Sequence, residues 1–358
     1  MQLRANKKPD ALVGVDIDAR SVAATQVDGS GRPVRSGVVQ LPAGAVADGE
    51  IVDKTAVAAA LRELFERDRL AKQVRLAVAN QRVAFRTVRL PLIEDPAQLK
   101  AAVSFQAQEQ IPMPLDTAVL EHQVIGGSVG DDGSRQIDVA VVAAREDSVT
   151  AFVTAAREGG LDPVGIDLAA FGMIRALAVP NGAGNGSTSS EDEFVPAVLY
   201  CNLGDLTNLA IARERVCLFS RLAQYGVRDI AEHLSAETGL PADHAQQWLV
   251  HAGLVTPIEE IEGDAPTAAK ARTALETGAK NLADELRLSL DYYGGQDGAS
   301  PVGDVVLCGW GSAIPGLAER LGEELGRNVS ARRPGALSVF ADADAARLTL
   351  SYGLALEE

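Results

Sequence analysis

Three short turns carry the residues that can do chemistry. The first is Gly14-Val15-Asp16-Ile17-Asp18-Ala19-Arg20-Ser21. The second is Cys201-Asn202-Leu203-Gly204-Asp205-Leu206-Thr207-Asn208, and the third runs over 307–317 through Gly309-Trp310-Gly311. Each follows an apolar run of strand character. Such turns suit phosphate groups. Glycine lets the main chain approach an oxygen, neighbouring backbone N–H groups cradle the anion, and a carboxylate such as Asp16 holds a hydrated magnesium ion. A third glycine-rich turn leading into a helix would lie along the inner part of a nucleotide. The plainer reading is turn chemistry alone: Asp bonds its own backbone and Gly tolerates positive φ. Both readings stand for Asp16, Asp18 and Asp205.

The elements that must position these turns repeat. The segments from Ala11 and from Val195 both read as strand, tight turn, strand. At an offset of about 186 positions, counted off the chain, Val13 faces Leu199, Asp16 faces Asn202, Ile17 faces Leu203, Asp18 faces Gly204 and Ser21 faces Thr207. Two halves opening alike imply a duplicated α/β architecture with a cleft between them. Between the turns, 54–69 and 147–159 have helical spacing. Asp95 and Pro96 form the capped start of a helix that ends at Gln110 before Ile-Pro-Met-Pro. Residues 180–193, rich in Gly, Ser and Asn, read as a connector. The expected division is a first lobe at 1–83 plus 162–180, an inserted β/α subdomain at 84–161 and a flexible linker at 181–193. A second lobe takes 194–226 plus 299–358, with a helix-rich insertion at 227–298.

Bulk properties narrow the function. The 358 residues exceed one simple core, so two or more domains are expected. The net charge of −16 opposes binding to nucleic-acid phosphates and to anionic lipid, and favours a basic partner. Cys201, Cys217 and Cys308 are widely spaced among apolar neighbours, as small core residues of a reducing compartment are. A polar N-terminus and the lack of any long apolar run imply a cytoplasmic protein without a membrane span.

Further blocks carry a family resemblance. The opening Asp16-Ile17-Asp18-Ala19-Arg20-Ser21-Val22-Ala23 is followed by Thr87-Val88-Arg89-Leu90-Pro91, the helix Leu99 to Gln110, and Ile111-Pro112-Met113-Pro114-Leu115. Gly165-Ile166-Asp167 to Arg175, Glu285 to Tyr293, Ile314-Pro315-Gly316-Leu317 and Tyr352-Gly353-Leu354-Ala355-Leu356 complete the set. Together they resemble the PilM family of type IV pilus assembly proteins, within the actin-like ATPase superfamily and related to FtsA. The resemblance spans nearly the whole chain. It implies an actin-like, ribonuclease H-like duplicated two-lobed fold and a cytoplasmic scaffold peripheral to the inner membrane. That scaffold would dock the N-terminal tail of a PilN-like membrane protein, with other pilus platform or motor proteins as further partners.

The resemblance also implies a site for ATP with magnesium. It would use Asp16 (metal), Asp18, Ser21, Asn202, Gly204, Thr207, Glu285, Gly309, Trp310 and Gly311. The chain departs from the family at four of the cleft positions. Asp18 stands for a glycine, Ala23 for a lysine, Asn202 for an aspartate and Trp310 for a glycine. A Cβ and a carboxylate at Asp18 crowd and repel phosphate, so ATP binding is expected to be weakened or lost, with no catalytic residue. The competing readings are an active actin-like ATPase or sugar kinase, which needs intact phosphate turns, and an FtsA-like cell-division protein, which wants a terminal membrane-binding helix.

Overall fold

The computed structural model describes residues 11–129, 133–178, 195–340 and 342–357; the linker expected at 181–193 lies outside them. The first strand, β1 (Leu12–Ile17), is apolar up to Asp16 because it is buried on both faces. It begins a sheet with β2 (Ser21–Val27) and β3 (Pro33–Gln40), both antiparallel neighbours in a meander. After a minimal ribbon, β4 (Val46–Ala47) with β5 (Glu50–Ile51), the chain crosses over through α1 (Lys54–Arg67). It returns in β6 (Gln73–Val78), parallel to β1. Asp53 caps α1 by accepting from the Ala56 N–H.

The chain then leaves the lobe. β7 (Val83–Pro91), α2 (Pro96–Gln110), β8 (Ala118–Val129) and β9 (Arg135–Arg145) form a separate three-stranded sheet, order β7-β9-β8, with one helix. Asp95 caps α2 through the Gln98 N–H and Pro96 opens it, as the sequence implies. Val88, Val103, Ile137, Val139 and Val141 close a small core of their own. The next helix, α3 (Glu146–Glu158), falls inside the 84–161 block by sequence. It instead lays Phe152, Ala155 and Ala156 into the first lobe's core beside Leu61 and Leu64 of α1. β10 (Asp162–Leu168) rejoins the first sheet, and α4 (Ala169–Leu177) covers it.

The second lobe repeats the plan. β11 (Ala197–Leu203), β12 (Thr207–Arg213) and β13 (Val216–Ala223) form the meander. α5 (Val227–Thr238), α6 (Ala242–Ala252) and the long α7 (Ala265–Gly294) follow as the helical insertion. β14 (Val302–Cys308), α8 (Leu317–Leu325) and β15 (Val329–Ala331) then add parallel strands. The two sheets have matching orders, β3-β2-β1-β6-β10 and β13-β12-β11-β14-β15. The hairpin registers differ by one residue: Ile17 pairs with Val22, whereas Leu203 pairs with Thr207. The last helix, α9 (Asp342–Ala355), was expected with the second lobe. It packs on the first sheet, burying Leu348, Leu350 and Leu354, and the Thr25 and Ser351 hydroxyls meet there at 2.7 Å. Gly353 permits this, since a Cβ there would lie 1.8 Å from the Gly172 carbonyl oxygen of α4.

Candidate functional site

All three turns lie at the C-terminal ends of parallel strands, β1, β11 and β14, where open α/β sheets bind ligands. Asp16, Asp18, Asn202 and Gly204 line one cavity of about 50 Å³ between the lobes. Ser21 and Thr207 stand at the far feet of the same two turns. The Ser21 carbonyl accepts the Asp18 N–H at 2.9 Å, and the buried Thr207 hydroxyl donates to the Tyr225 carbonyl at 2.8 Å.

Three amides of the first two turns, those of Asp18, Ala19 and Gly204, are already bonded. The Gly204 N–H donates to the Leu206 carbonyl at 3.2 Å and the Ala19 N–H to Asp18 Oδ1 at 2.8 Å. The Asp205 N–H faces the Asp18 carboxylate across the lobe boundary and favours its charged form. Asp205 itself is buried, and its Oδ2 lies 3.4 Å from Arg20 Nε without a hydrogen bond. Arg20 reaches on to Asp243 at 2.9 Å.

Electrostatically the cavity is an acid cluster. Burial, and then the charge of Asp18, push the Asp16 carboxyl up to about 8. Burial, and then Asp18 again, raise Asp205 to about 7, against the pull of Arg20 and Arg228. Burial raises Asp18 too, opposed by its two backbone donors and by Arg347 and Arg228. The cavity lining carries Asp16, Asp18 and Asp48 and no lysine or arginine. Among the described residues, no group of three His, Cys, Asp or Glu side chains is arranged to hold a metal ion. These groups fit a magnesium triphosphate poorly. The carboxylates repel it, the Asp18, Ala19 and Gly204 amides are engaged, and the space is far below the roughly 300–1,000 Å³ usual for small-molecule sites.

The third turn meets the second rather than opening to the cavity. Gly309 has φ 78°, and a Cβ on it would stand 2.3 Å from Asn202 Oδ1; one on Gly311 would stand 2.5 Å from Val227 Cγ2. Trp310 is partly buried against the second lobe's core. Glu285 is not with the turns. It lies on α7 and pairs with Arg221 at 3.4 Å in the wall of a different groove.

That groove is the larger feature, and sequence reasoning named only its neighbourhood. It encloses about 600 Å³ where three bodies meet. Residues 80–82 come from the first lobe, 83–86, 112–114 and 145 from the inserted subdomain and its border, and 220–222, 224 and 285 from the second lobe. Pro112-Met113-Pro114, which stops α2, forms one rim. Arg82, Arg86, Arg145 and Arg221 line it, so an acidic protein presents a basic groove. These guanidiniums are held in place: Arg86 donates to the Gln110 and Phe85 carbonyls, Arg145 to Asp147, and Arg221 to Ser289 Oγ at 2.9 Å. No helix among the described residues is long and apolar enough to cross a membrane.

The solved "PilM-PilN type IV pilus biogenesis complex" is similar to this chain at 23% identity and TM-score 0.77, covering 96% of this chain and 97% of that one. The ethanolamine utilization protein EutJ from Carboxydothermus hydrogenoformans is similar at 16% identity and TM-score 0.55, covering 98% and 90%. MreB 5 of Spiroplasma citri bound to AMPPNP is similar at 12% identity and TM-score 0.54, covering 97% and 95%. These likenesses make the fold the actin-like two-lobed one. The family model for type IV pilus assembly protein PilM matches residues 14–357, all but the extreme ends, and the chain belongs to that family.

Proposed function

We propose that this protein is a scaffold of type IV pilus assembly that docks the N-terminal tail of a PilN-like inner-membrane protein in the groove between the inserted subdomain and the second lobe. The observation that carries this reading is the 600 Å³ groove itself. It is built from three bodies and has a proline-bounded rim and fixed arginine donors. An extended peptide can be held by such a groove, with positioned side-chain donors along its wall, without a deep apolar cavity. The PilN chain of the similar PilM-PilN complex supplies the class of ligand. Nucleotide binding is weakened or lost here, because the turn amides are engaged and the cavity lining is acidic. The protein holds partners rather than turning over ATP. It sits in the cytoplasm and reaches the inner membrane through its partner, where it links platform and motor proteins of the pilus.

Calorimetric titration of the full chain with a synthetic N-terminal peptide of the PilN homologue from the same genome tests this. Saturable binding that Met113→Ala weakens about tenfold, and that Val339→Ala outside the groove leaves unchanged, is the expected result. Tight binding indifferent to Met113 and Arg86 substitutions would place the tail elsewhere. No binding by folded protein would remove the reading.

A further inference from the structure

The Asp18 carboxylate does more than crowd the first turn. Asp18 and Gly204 are equivalents in the two halves. One supplies a side chain, and the other leaves the space that receives it: a Cβ on Gly204 would lie 3.0 Å from Asp18 Oδ2. The carboxylate therefore reaches the second lobe's turn while Oδ1 takes the Ala19 N–H of its own turn at 2.8 Å. The Asp205 N–H of the opposite turn faces it and favours its charged form. Arg228 of α5 and Arg347 of α9 are close enough to stabilise its charge. A carboxylate that takes the N–H of its own turn and faces the N–H of the other, while cations offset its charge, is placed as the end of a phosphate chain is in a two-turn clasp.

We infer that Asp18 is the built-in anionic ligand of this site, standing where a terminal phosphate would stand and fastening the two lobes' turns together without nucleotide. The inference rests on the reading of the protein as a scaffold that does not need ATP. It goes further by assigning the position of the replaced phosphate to one side chain and by stating what the turns would bind without it: inorganic phosphate chains such as tripolyphosphate. Asp18 is then a specificity-determining residue that turns an anion site into an internal latch. Arg20 strengthens the latch by spanning Asp205 and Asp243 on the second lobe.

The test uses the full chain as wild type, Asp18→Gly and Asp18→Asn, with hydrogen exchange at the Ala19 and Asp205 amides and titration with tripolyphosphate. In the wild type the two amides should be protected and tripolyphosphate should give no saturable heat. Asp18→Gly should expose both amides and gain saturable binding at least about tenfold above wild type, the effect of one charge-assisted hydrogen bond. Tripolyphosphate should then restore the protection. Asp18→Asn keeps an acceptor in place and should gain little. Should Asp18→Gly fail to fold, Asp18→Ser, whose hydroxyl is too short to bridge the turns, takes its place in both readouts. Amides that stay protected in a folded Asp18→Gly, an absent gain in binding, or wild-type protein that already saturates with tripolyphosphate would each overturn the inference. Tail-peptide titration of the same samples reports separately on the scaffold reading, so loss of one leaves the other measurable.

Discussion

Two hollows lie at the meeting of the lobes, and they have opposite chemistry. The cavity under the phosphate-type turns holds about 50 Å³ and is lined by three carboxylates. The groove beside the inserted subdomain holds about 600 Å³ and is lined by four arginines and one glutamate. The same duplicated fold supplies both. In the first, the Asp18 side chain and the turns' own carbonyls take the Ala19, Asp18 and Gly204 amides, leaving an acid cluster whose burial costs stability. In the second, arginines are fixed by carbonyls and carboxylates and keep a rim open. The difference sets a small, acidic, inward-facing hollow against a wide, basic groove, although both sit where the lobes of one duplicated fold meet.

The sharpest way to break that contrast is at the glycines of the cleft. If Gly309 and Gly311 were kept only for a nucleotide, an alanine would leave the unliganded protein's stability unchanged. In this structure a Cβ at Gly309 meets Asn202 Oδ1 at 2.3 Å and the Leu203 carbonyl oxygen at 2.8 Å, on a backbone with φ 78°. Gly309→Ala should therefore lower unfolding free energy by about 2–4 kcal/mol, from strain and overlap together. Denaturant unfolding without ligand measures it, and an unchanged midpoint would return these glycines to a ligand-binding role.

The acid cluster comes next. The Asp16 carboxyl is raised from 3.8 to about 8, first by burial and then by Asp18. The folded state therefore holds a proton that the unfolded state has released. The sign follows: stability from this group is full below about pH 4 and is lost as pH rises toward 8. Asp16→Asn removes the titration. It should match wild type near pH 4 and be more stable by about 1–3 kcal/mol at about pH 9, so that the pH profile flattens. A variant that is less stable at high pH would mean Asp16 holds a cation there after all.

Much of this was legible in the sequence. The strand–turn–strand repeat and the capped helix after Asp95 follow from periodicity and turn chemistry, and the structure keeps them; the offset holds along β1 and β11 but slips by one residue after the turn, so Thr207 matches Val22 rather than Ser21. What was not legible concerns which surface each apolar face meets. The 147–159 helix and the 299–358 block were assigned by sequence order, yet order and periodicity cannot say that Phe152 and Leu354 both belong to the first lobe's core. Nor does a carboxylate at position 18 announce its direction. The sequence marks it as unfavourable to phosphate, and only the geometry turns it onto the Ala19 N–H and toward the second lobe's turn. Glu285 stands apart from the turns for a related reason: a helix position fixes its face but not which of two neighbouring hollows that face borders.

Arg20 ranks below the acid cluster. It is partly exposed, and its Nε lies 3.4 Å from Asp205 Oδ2. Arg20→Ala leaves that buried carboxylate without its nearest cation, so Asp205 should titrate above about 7 and stability should fall by about 1–2 kcal/mol above neutrality. Below pH 5 the variant and wild type should converge to within about 0.5 kcal/mol, because a protonated Asp205 no longer needs the guanidinium. Unfolding curves at the two pH values check this.

The smallest expected effect separates the hollows most cleanly. Glu285 has a side chain 30% exposed and pairs with Arg221 at 3.4 Å, a partly solvated pair contributing about 0.5 kcal/mol or less. Glu285→Gln should thus scarcely move the unfolding midpoint. Its consequence depends on which hollow it serves. As a wall of the groove it changes the charge facing a docked peptide and releases Arg221, which still has Ser289 Oγ as a partner. The tail peptide's dissociation rate should shift by a few-fold, more at low salt than at high. As a nucleotide-site residue it would leave the peptide untouched and alter only the response to nucleotide. Surface-based kinetics with the peptide at two salt concentrations, beside a titration with ATP, assign the residue to one hollow or the other. A salt-independent rate equal to wild type would move Glu285, and with it that side of the groove, out of the docking surface.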